Sequence, residues 1–243
     1  MNAIETRHLS KHFDGVQAVN GLSIKIEKGK VTGLIGPNGS GKTTLINLLT
    51  GVVPFSGGTV LISGTELSKV AAFDVAVYGV TRTFQAVRLF EQMSVLDNLL
   101  VVLTERNVFS ALFERHKAHH YAQAEELLKN VNLWDKRDEN AENLSYGQRK
   151  LLEIARAVAM DVEIYFFDEP FAGLFPEMRR VVVDTIKRLR DAHKTVVLVE
   201  HDMDIIRELP DHVIVLDAGK LLAEGTPQEV LADARVIEAY LGD

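Results

Sequence analysis

Residues 36–43, Gly36-Pro37-Asn38-Gly39-Ser40-Gly41-Lys42-Thr43, fit the spacing G-x-x-x-x-G-K-[ST], whose chemistry is the capture of a phosphate chain. Glycines let the backbone curl so that successive N–H groups point inward. A helix beginning near Gly41 presents its positive end to the same point. Lys42 is then expected to neutralise the outer phosphates, and the Thr43 hydroxyl to ligate Mg²⁺. A second group is Asp168-Glu169-Pro170, two carboxylates leaving the apolar run Ile164-Tyr165-Phe166-Phe167. The carboxyl ends of strands are where open α/β sheets bind ligands. There Asp168 can enter an Mg²⁺ shell and Glu169 can polarise an attacking water. A third is Leu144-Ser145-Tyr146-Gly147-Gln148, read either as an ordinary helix N-cap or as a second anion site; the pentapeptide alone does not separate the two.

These groups need a scaffold of alternating strands and helices, and the hydrophobic pattern predicts one. Extended segments are expected at 4–9, 22–26, 31–35, 57–64 and 80–84, with a helix from Lys42 following the Gly-rich turn. From about 90 to 143 helical spacing and charge dominate, which predicts a helical subdomain. Helix 146–160, strand 164–167, helix 176–192, strand 195–199 and strand 213–216 follow, with short helices after Pro227. Alternation of this kind favours an α/β fold with a mainly parallel sheet covered on both faces.

Composition sets the outer limits. The chain has 243 residues, 47% hydrophobic and 25% charged, enough for a sizeable core without staples. Cysteine is absent, which removes disulfides, thiolate metal sites and thiol nucleophiles together. With 27 basic and 34 acidic residues the net charge is −7, which offers no general field for nucleic acid. Neither a signal peptide nor an apolar run of about 20 residues is visible, so the expectation is a soluble, cytoplasmic protein. His116 and His120 share a helical face beside His119, yet a solvated face is the simpler reading than a metal site.

Taken in order, the phosphate loop, Leu144 to Gln148, the strand ending Asp168-Glu169, and His201 after strand 195–199 resemble the ATP-binding cassette (ABC) family of transporter ATPases across almost the whole chain. The resemblance implies a P-loop NTPase (RecA-like) core with a mainly parallel sheet, an N-terminal antiparallel β subdomain and an inserted α-helical subdomain. On this reading 1–88 and 160–243 form the nucleotide-binding core and 89–159 the helical subdomain with the signature turn. It also implies ATP and Mg²⁺ as cofactors. Residues 36–44, from Gly36 to Thr44, would bind nucleotide, and Phe13 would stack on adenine. Gln85 would sense Mg²⁺ or water near the contact with the membrane subunit. His201 would touch the terminal phosphate and order the water held by Glu169. Ser145, Gly147 and Gln148 would close in trans over ATP on another subunit, in a homodimer or a heterodimer with a paralogous ATPase. Integral membrane permease subunits would be direct partners and a periplasmic or extracellular solute-binding protein an indirect one, at the inner face of the plasma membrane.

Within the family, Arg82-Thr83-Phe84-Gln85-Ala86-Val87-Arg88-Leu89-Phe90, Glu200-His201-Asp202-Met203, and the stretch from Gly225-Thr226-Pro227 to Tyr240-Leu241-Gly242 are most similar to importers of branched-chain amino acids and related amides. Lipopolysaccharide-export ATPases look similar around Asp168-Glu169-Pro170-Phe171-Ala172-Gly173. Two departures stand out: Tyr146 where Gly is common, and Phe175 in Ala172-Gly173-Leu174-Phe175-Pro176 where Asp or Asn is usual. A soluble regulatory ABC-type ATPase is the rival from another class. A GTPase is disfavoured because no Asn-Lys-x-Asp guanine motif occurs.

Overall fold

The fold is that of a computed structural model, which describes residues 1–71, 74–104 and 117–241, the side chains of Lys117 and Leu241 excepted. By internal contact density it divides into two compact units, one formed by 1–82, 162–169 and 186–243, the other by 83–161 and 170–185.

The first unit holds two sheets. One is antiparallel and ordered β2 (Val16–Leu22), β1 (Asn2–Phe13), β5 (Gly57–Ile62), β6 (Thr65–Leu67), with β3 (Lys25–Glu27) also paired to β1. The segment 22–26, expected as a single strand, is split. Along its length β1 pairs first with β3 and then with β2, and the Thr6 hydroxyl spans the change by donating to the Leu22 carbonyl at 2.9 Å and accepting from the Ile24 N–H at 3.0 Å. The alternation survives the break, because Leu22, Ile24 and Ile26 are all buried.

The second sheet is ordered β11 (Lys220–Gly225), β10 (His212–Asp217), β4 (Val31–Ile35), β9 (Thr195–Val199), β8 (Ile164–Asp168), β7 (Val80–Arg82). All its pairs are parallel except β10 with β11. β4, β8 and β9 are buried along their whole length, which is why their sequences are mainly apolar rather than alternating, with Thr32, Asp168 and Thr195 as buried polar residues among them. The two sheets share a core in which Ile4, Leu9 and Val60 meet Phe166, Val197 and the buried face of helix α1 (Lys42–Leu49). A smaller core joins Ile35, Val213 and Val215 to Ile206 of α6 (Met203–Glu208), Val230 of α7 (Pro227–Ala232) and Val236 of α8 (Ala234–Leu241).

The second unit is helical: α2 (Val95–Leu103), α3 (Lys117–Asn130), α4 (Tyr146–Ala159) and the start of α5 (Pro176–Asp191). Its core contains Val95, Leu99, Ala124, Leu128, Leu152 and Ala155. Asn98 is fully buried there but satisfied: its side chain accepts from the Phe90 N–H and donates to the Phe90 and Ser94 carbonyls, each at 3.0 Å. Among the described residues, no helix is long and apolar enough to cross a membrane.

Candidate functional site

In the first unit, three neighbouring parallel strands end side by side. β4 ends at Ile35 and leads into the phosphate loop, β9 ends at Val199 two residues before His201, and β8 ends at Asp168. Register fixes the alignment, with Asp168 opposite Val199 and Val199 opposite Leu34.

Two glycines of the loop are demanded by close approach. A Cβ on Gly36 would collide with the Leu216 carbonyl oxygen and lie 2.7 Å from the Ser40 hydroxyl; one on Gly41 would collide with the Ala18 carbonyl oxygen. Gly41 also has φ +102°, in the left-handed region. The turn is anchored from outside: the Gly219 N–H donates to the Ser40 carbonyl at 3.0 Å, and the Asn20 N–H to the Gly219 carbonyl at 2.9 Å.

Residues with the chemistry of an anion site line this loop. Gly41 is the N-cap of α1 and supplies no side-chain cap, whereas Ser94, Ser145, Asp202 and Thr226 cap α2, α4, α6 and α7 with their own oxygens. The first turn of α1 therefore keeps backbone donors for an anion. Lys42 folds back into the loop, its ammonium donating to the Gly36 carbonyl at 2.7 Å and the Pro37 carbonyl at 2.9 Å. Phosphate oxygens would exchange with these neutral acceptors and gain a full charge pairing. Asn38, Gly39 and Thr43 are exposed, Thr44 half-buried and Ser40 buried. Donors, a cation and a hydroxyl thus fit a nucleotide with its Mg²⁺.

Asp168 is almost wholly buried, and its carboxylate pairs with Arg82 at 2.9 Å. Glu169, directly after it, has φ +48° and gives its N–H to the Val199 carbonyl at 3.0 Å. A left-handed backbone is unfavourable for a side chain of this size and is found disproportionately at functional positions. It turns the Glu169 carboxylate towards His201, whose Nδ1 lies 3.8 Å away, and both side chains reach solvent. Phe13 ends β1 and is 43% exposed, with the Lys11 ammonium 4.8 Å from its ring centroid. A ring exposed at one face can still stack on a base.

Gln85, Ser145, Gly147 and Gln148 belong to the second unit. Ser145 and Gln148 form a reciprocal capping box: the Gln148 N–H donates to the Ser145 hydroxyl at 3.3 Å and the Ser145 N–H to the Gln148 side-chain oxygen at 3.0 Å. The plain capping reading of this turn is therefore realised. Gly147 is buried, and a Cβ on it would lie 2.5 Å from the Met178 sulfur. Tyr146 is exposed and sits against Gly173, whose Cβ would lie 3.0 Å from the Tyr146 ring; Phe175 is 74% exposed. Gln85 is exposed on a segment gripped by α4. Glu153 accepts from the Arg88 N–H at 3.1 Å, Arg156 donates to the Arg88 carbonyl at 2.7 Å, and the Arg88 guanidinium lies 3.8 Å over the Phe84 ring. Burial pushes the Glu153 carboxyl above the ordinary range, while hydrogen bonds from Arg88 and Phe84 backbone and the charges of Lys150 and Arg156 oppose the rise.

In the first unit Arg82 braces Asp168, and in the second Glu153 and Arg156 hold the segment that carries Gln85, structural roles that the motifs do not show. Only their helical spacing and the position of Arg82 at the end of a strand could have flagged them. Of the three histidines considered for a metal, His116 lies outside the described residues, and the His119 and His120 rings are 6.0 Å apart; no group of three His, Asp or Glu suited to a metal occurs among the described residues.

A Gly-rich turn between a buried parallel strand and a helix, with two carboxylates at the same end of the next strand but one, defines a phosphate-loop nucleotide-binding protein. The chain belongs to the ABC transporter family: the family model described as ABC transporter matches residues 19–172, and one described as branched-chain amino acid ATP-binding cassette transporter matches 220–243. It is the ATP-binding, ATP-hydrolysing cassette of such a transporter. It is 39% identical to the high-affinity branched-chain amino acid transport ATP-binding protein BraF of Pseudomonas aeruginosa, over 99% of this chain and 98% of that protein. To the corresponding protein LivG of Escherichia coli it is 38% identical, over 97% and 96%. Among solved structures, the ADP conformation of an ATP-binding cassette of an ABC transporter matches with a TM-score of 0.86 at 33% identity, covering 100% of both chains.

Proposed function

We propose that this chain hydrolyses ATP to power import of branched-chain amino acids or related small amides through a membrane permease. The reading is carried by the convergence of the Gly36–Thr43 loop, Asp168 and the Glu169–His201 pair at three adjacent strand ends. The cargo rests on likeness to transport proteins for branched-chain amino acids over nearly full length. That same likeness disfavours a lipopolysaccharide-type exporter or a soluble regulator.

Lys42 and the backbone donors from Asn38 to Thr44 bind the phosphates, and Phe13 stacks on the adenine. Thr43 and Asp168 would hold Mg²⁺ on this unit, and the ion would supply neutralisation of the phosphate charge. Glu169 accepts a hydrogen bond from the attacking water and takes up its proton as the water oxygen bonds to the terminal phosphorus and the bond from that phosphorus to the bridging oxygen breaks, so that ADP leaves with the bonding pair and phosphate is released. His201 orients Glu169 and donates to the terminal phosphate. Gln85 senses Mg²⁺ or the catalytic water and communicates the nucleotide state to the permease. Ser145, Gly147 and Gln148 close over ATP held by a second subunit, identical or paralogous. The assembly then lies at the inner face of the plasma membrane, with a solute-binding protein reaching it only through the permease.

The decisive experiment compares wild type with Glu169→Gln. Removing the base should lower phosphate release by about 100-fold or more while ATP binding persists. Equal rates in the two proteins would defeat the assignment.

A further inference from the structure

The last helix reaches back to the nucleotide site. Tyr240 on α8 accepts a hydrogen bond from the Gly36 N–H at 2.7 Å. We propose that Tyr240 is a positioning residue for the phosphate loop: its hydroxyl sets the peptide on which the ATP-binding turn opens. The inference rests on the reading that this loop binds ATP.

Gly36 is held at both of its backbone groups, its N–H by Tyr240 and its carbonyl by the Lys42 ammonium at 2.7 Å. Lys42 would exchange that carbonyl for phosphate, which leaves Tyr240 as the tie that stays. Such a tie matters because Gly36 sits at φ +149°, in a backbone region that glycine enters and leaves at little cost. Pro37 next to it has no N–H, so the first loop donor after Gly36 is that of Asn38. Its aim depends on how the Gly36 peptide is set.

The ring itself is steered by this bond. One side lines a mainly apolar cavity of about 240 Å³ with Met203, Arg207, Leu231, Val236 and Ile237, so neighbouring side chains do not fill the space on that side. Burial pushes the Tyr240 phenol above its ordinary pKa, and the Gly36 amide opposes that rise; the hydroxyl is accordingly neutral at physiological pH. Fixation of α8 does not depend on the hydroxyl, because Val236 is buried in the core with Ile35, Val213 and Val215. Tyr240 also lies in 220–243, the stretch matched by the branched-chain model, so a segment separate from the nucleotide motifs is wired to the phosphate loop.

The test is Tyr240→Phe in the full chain, with Val236→Ala as the control that loosens the same helix but keeps the hydroxyl. Calorimetric ATP affinity should fall about 3- to 10-fold in Tyr240→Phe, the range of one lost hydrogen bond. Exchange of the Gly36 amide hydrogen should quicken, and the melting temperature should stay within about 2 °C of wild type. KM for ATP should rise with kcat changed less than about twofold, since the bond serves binding. Unchanged affinity and Gly36 exchange would overturn the proposal. A loss of affinity that Val236→Ala reproduces would also overturn it, because the cause would then be a loosened helix. Failure of the wild type itself to bind ATP would instead sink the reading on which the proposal rests.

Discussion

Arg82 and Asp168 form a buried ion pair, the guanidinium 2.9 Å from the carboxylate with side chains only 7% and 5% exposed. The same guanidinium donates to Asn47 at 2.5 Å and Thr50 at 3.3 Å, in and just after α1, so one side chain joins β7, β8 and the helix behind the phosphate loop. Removing one partner of a buried pair costs on the order of 3 kcal/mol. Arg82→Met should therefore lower the melting temperature clearly. Arg82→Lys keeps the charge but not the fork, and should weaken the gain in ADP affinity that Mg²⁺ confers. Titrating ADP with and without Mg²⁺ measures this, and equal gains in Arg82→Lys and wild type would contradict it.

Gly41→Ala should abolish nucleotide binding. The added methyl meets the Ala18 carbonyl, and the φ of +102° is hostile to alanine, so the loop must shift. The strain is local, about 1 to 3 kcal/mol, and the fold should persist. Circular dichroism with wild-type helix content, together with undetectable ATP binding by calorimetry, is the expected pair of results.

Phe13→Ala should weaken ATP binding about 2- to 10-fold and leave inorganic phosphate competition unchanged, because stacking of this kind contributes roughly 0.5–1.5 kcal/mol. Phe13→Trp should restore affinity. Loss of binding that Trp fails to rescue would argue against a stacking role.

Glu153 makes stability depend on pH in a defined direction. Its folded pKa is raised, chiefly by burial, so the folded state binds the proton more tightly than the unfolded chain. Its unfavourable contribution is absent below the ordinary carboxyl pKa, grows as pH rises through that value towards the folded one, and is complete above. Glu153→Gln removes it. The melting temperature of the variant relative to wild type should thus improve from pH 4 to pH 7; a difference that is flat or falls over this range would refute the assignment.

Much of the fold was legible in the local pattern. Strands β4, β8 and β9 are contiguous and fully buried, and the phosphate loop follows β4 directly, so their mainly apolar sequences and the glycines of the loop state their role directly. The break between β2 and β3 was not legible, because period-two burial runs through Leu22, Ile24 and Ile26 whether or not the ladder is continuous. Arg82 read as part of a family cue and turned out to be a buried bridge to Asp168, 86 positions away. No local signal encodes a contact of that separation.

What the amino-acid sequence determined by itself was the chemistry: a turn that only glycines can make, a lysine and hydroxyl at its exit, and two carboxylates after an apolar strand. Those features act over a few bonds, and short-range sterics and charge are enough to specify them. Tertiary structure decided which of these groups meet. Parallel registry of β4, β9 and β8 brings Glu169 to His201, and packing of α8 on the sheet brings Tyr240 to Gly36 across 204 positions. Such contacts depend on burial of a shared core, a property of the whole chain that no segment carries alone.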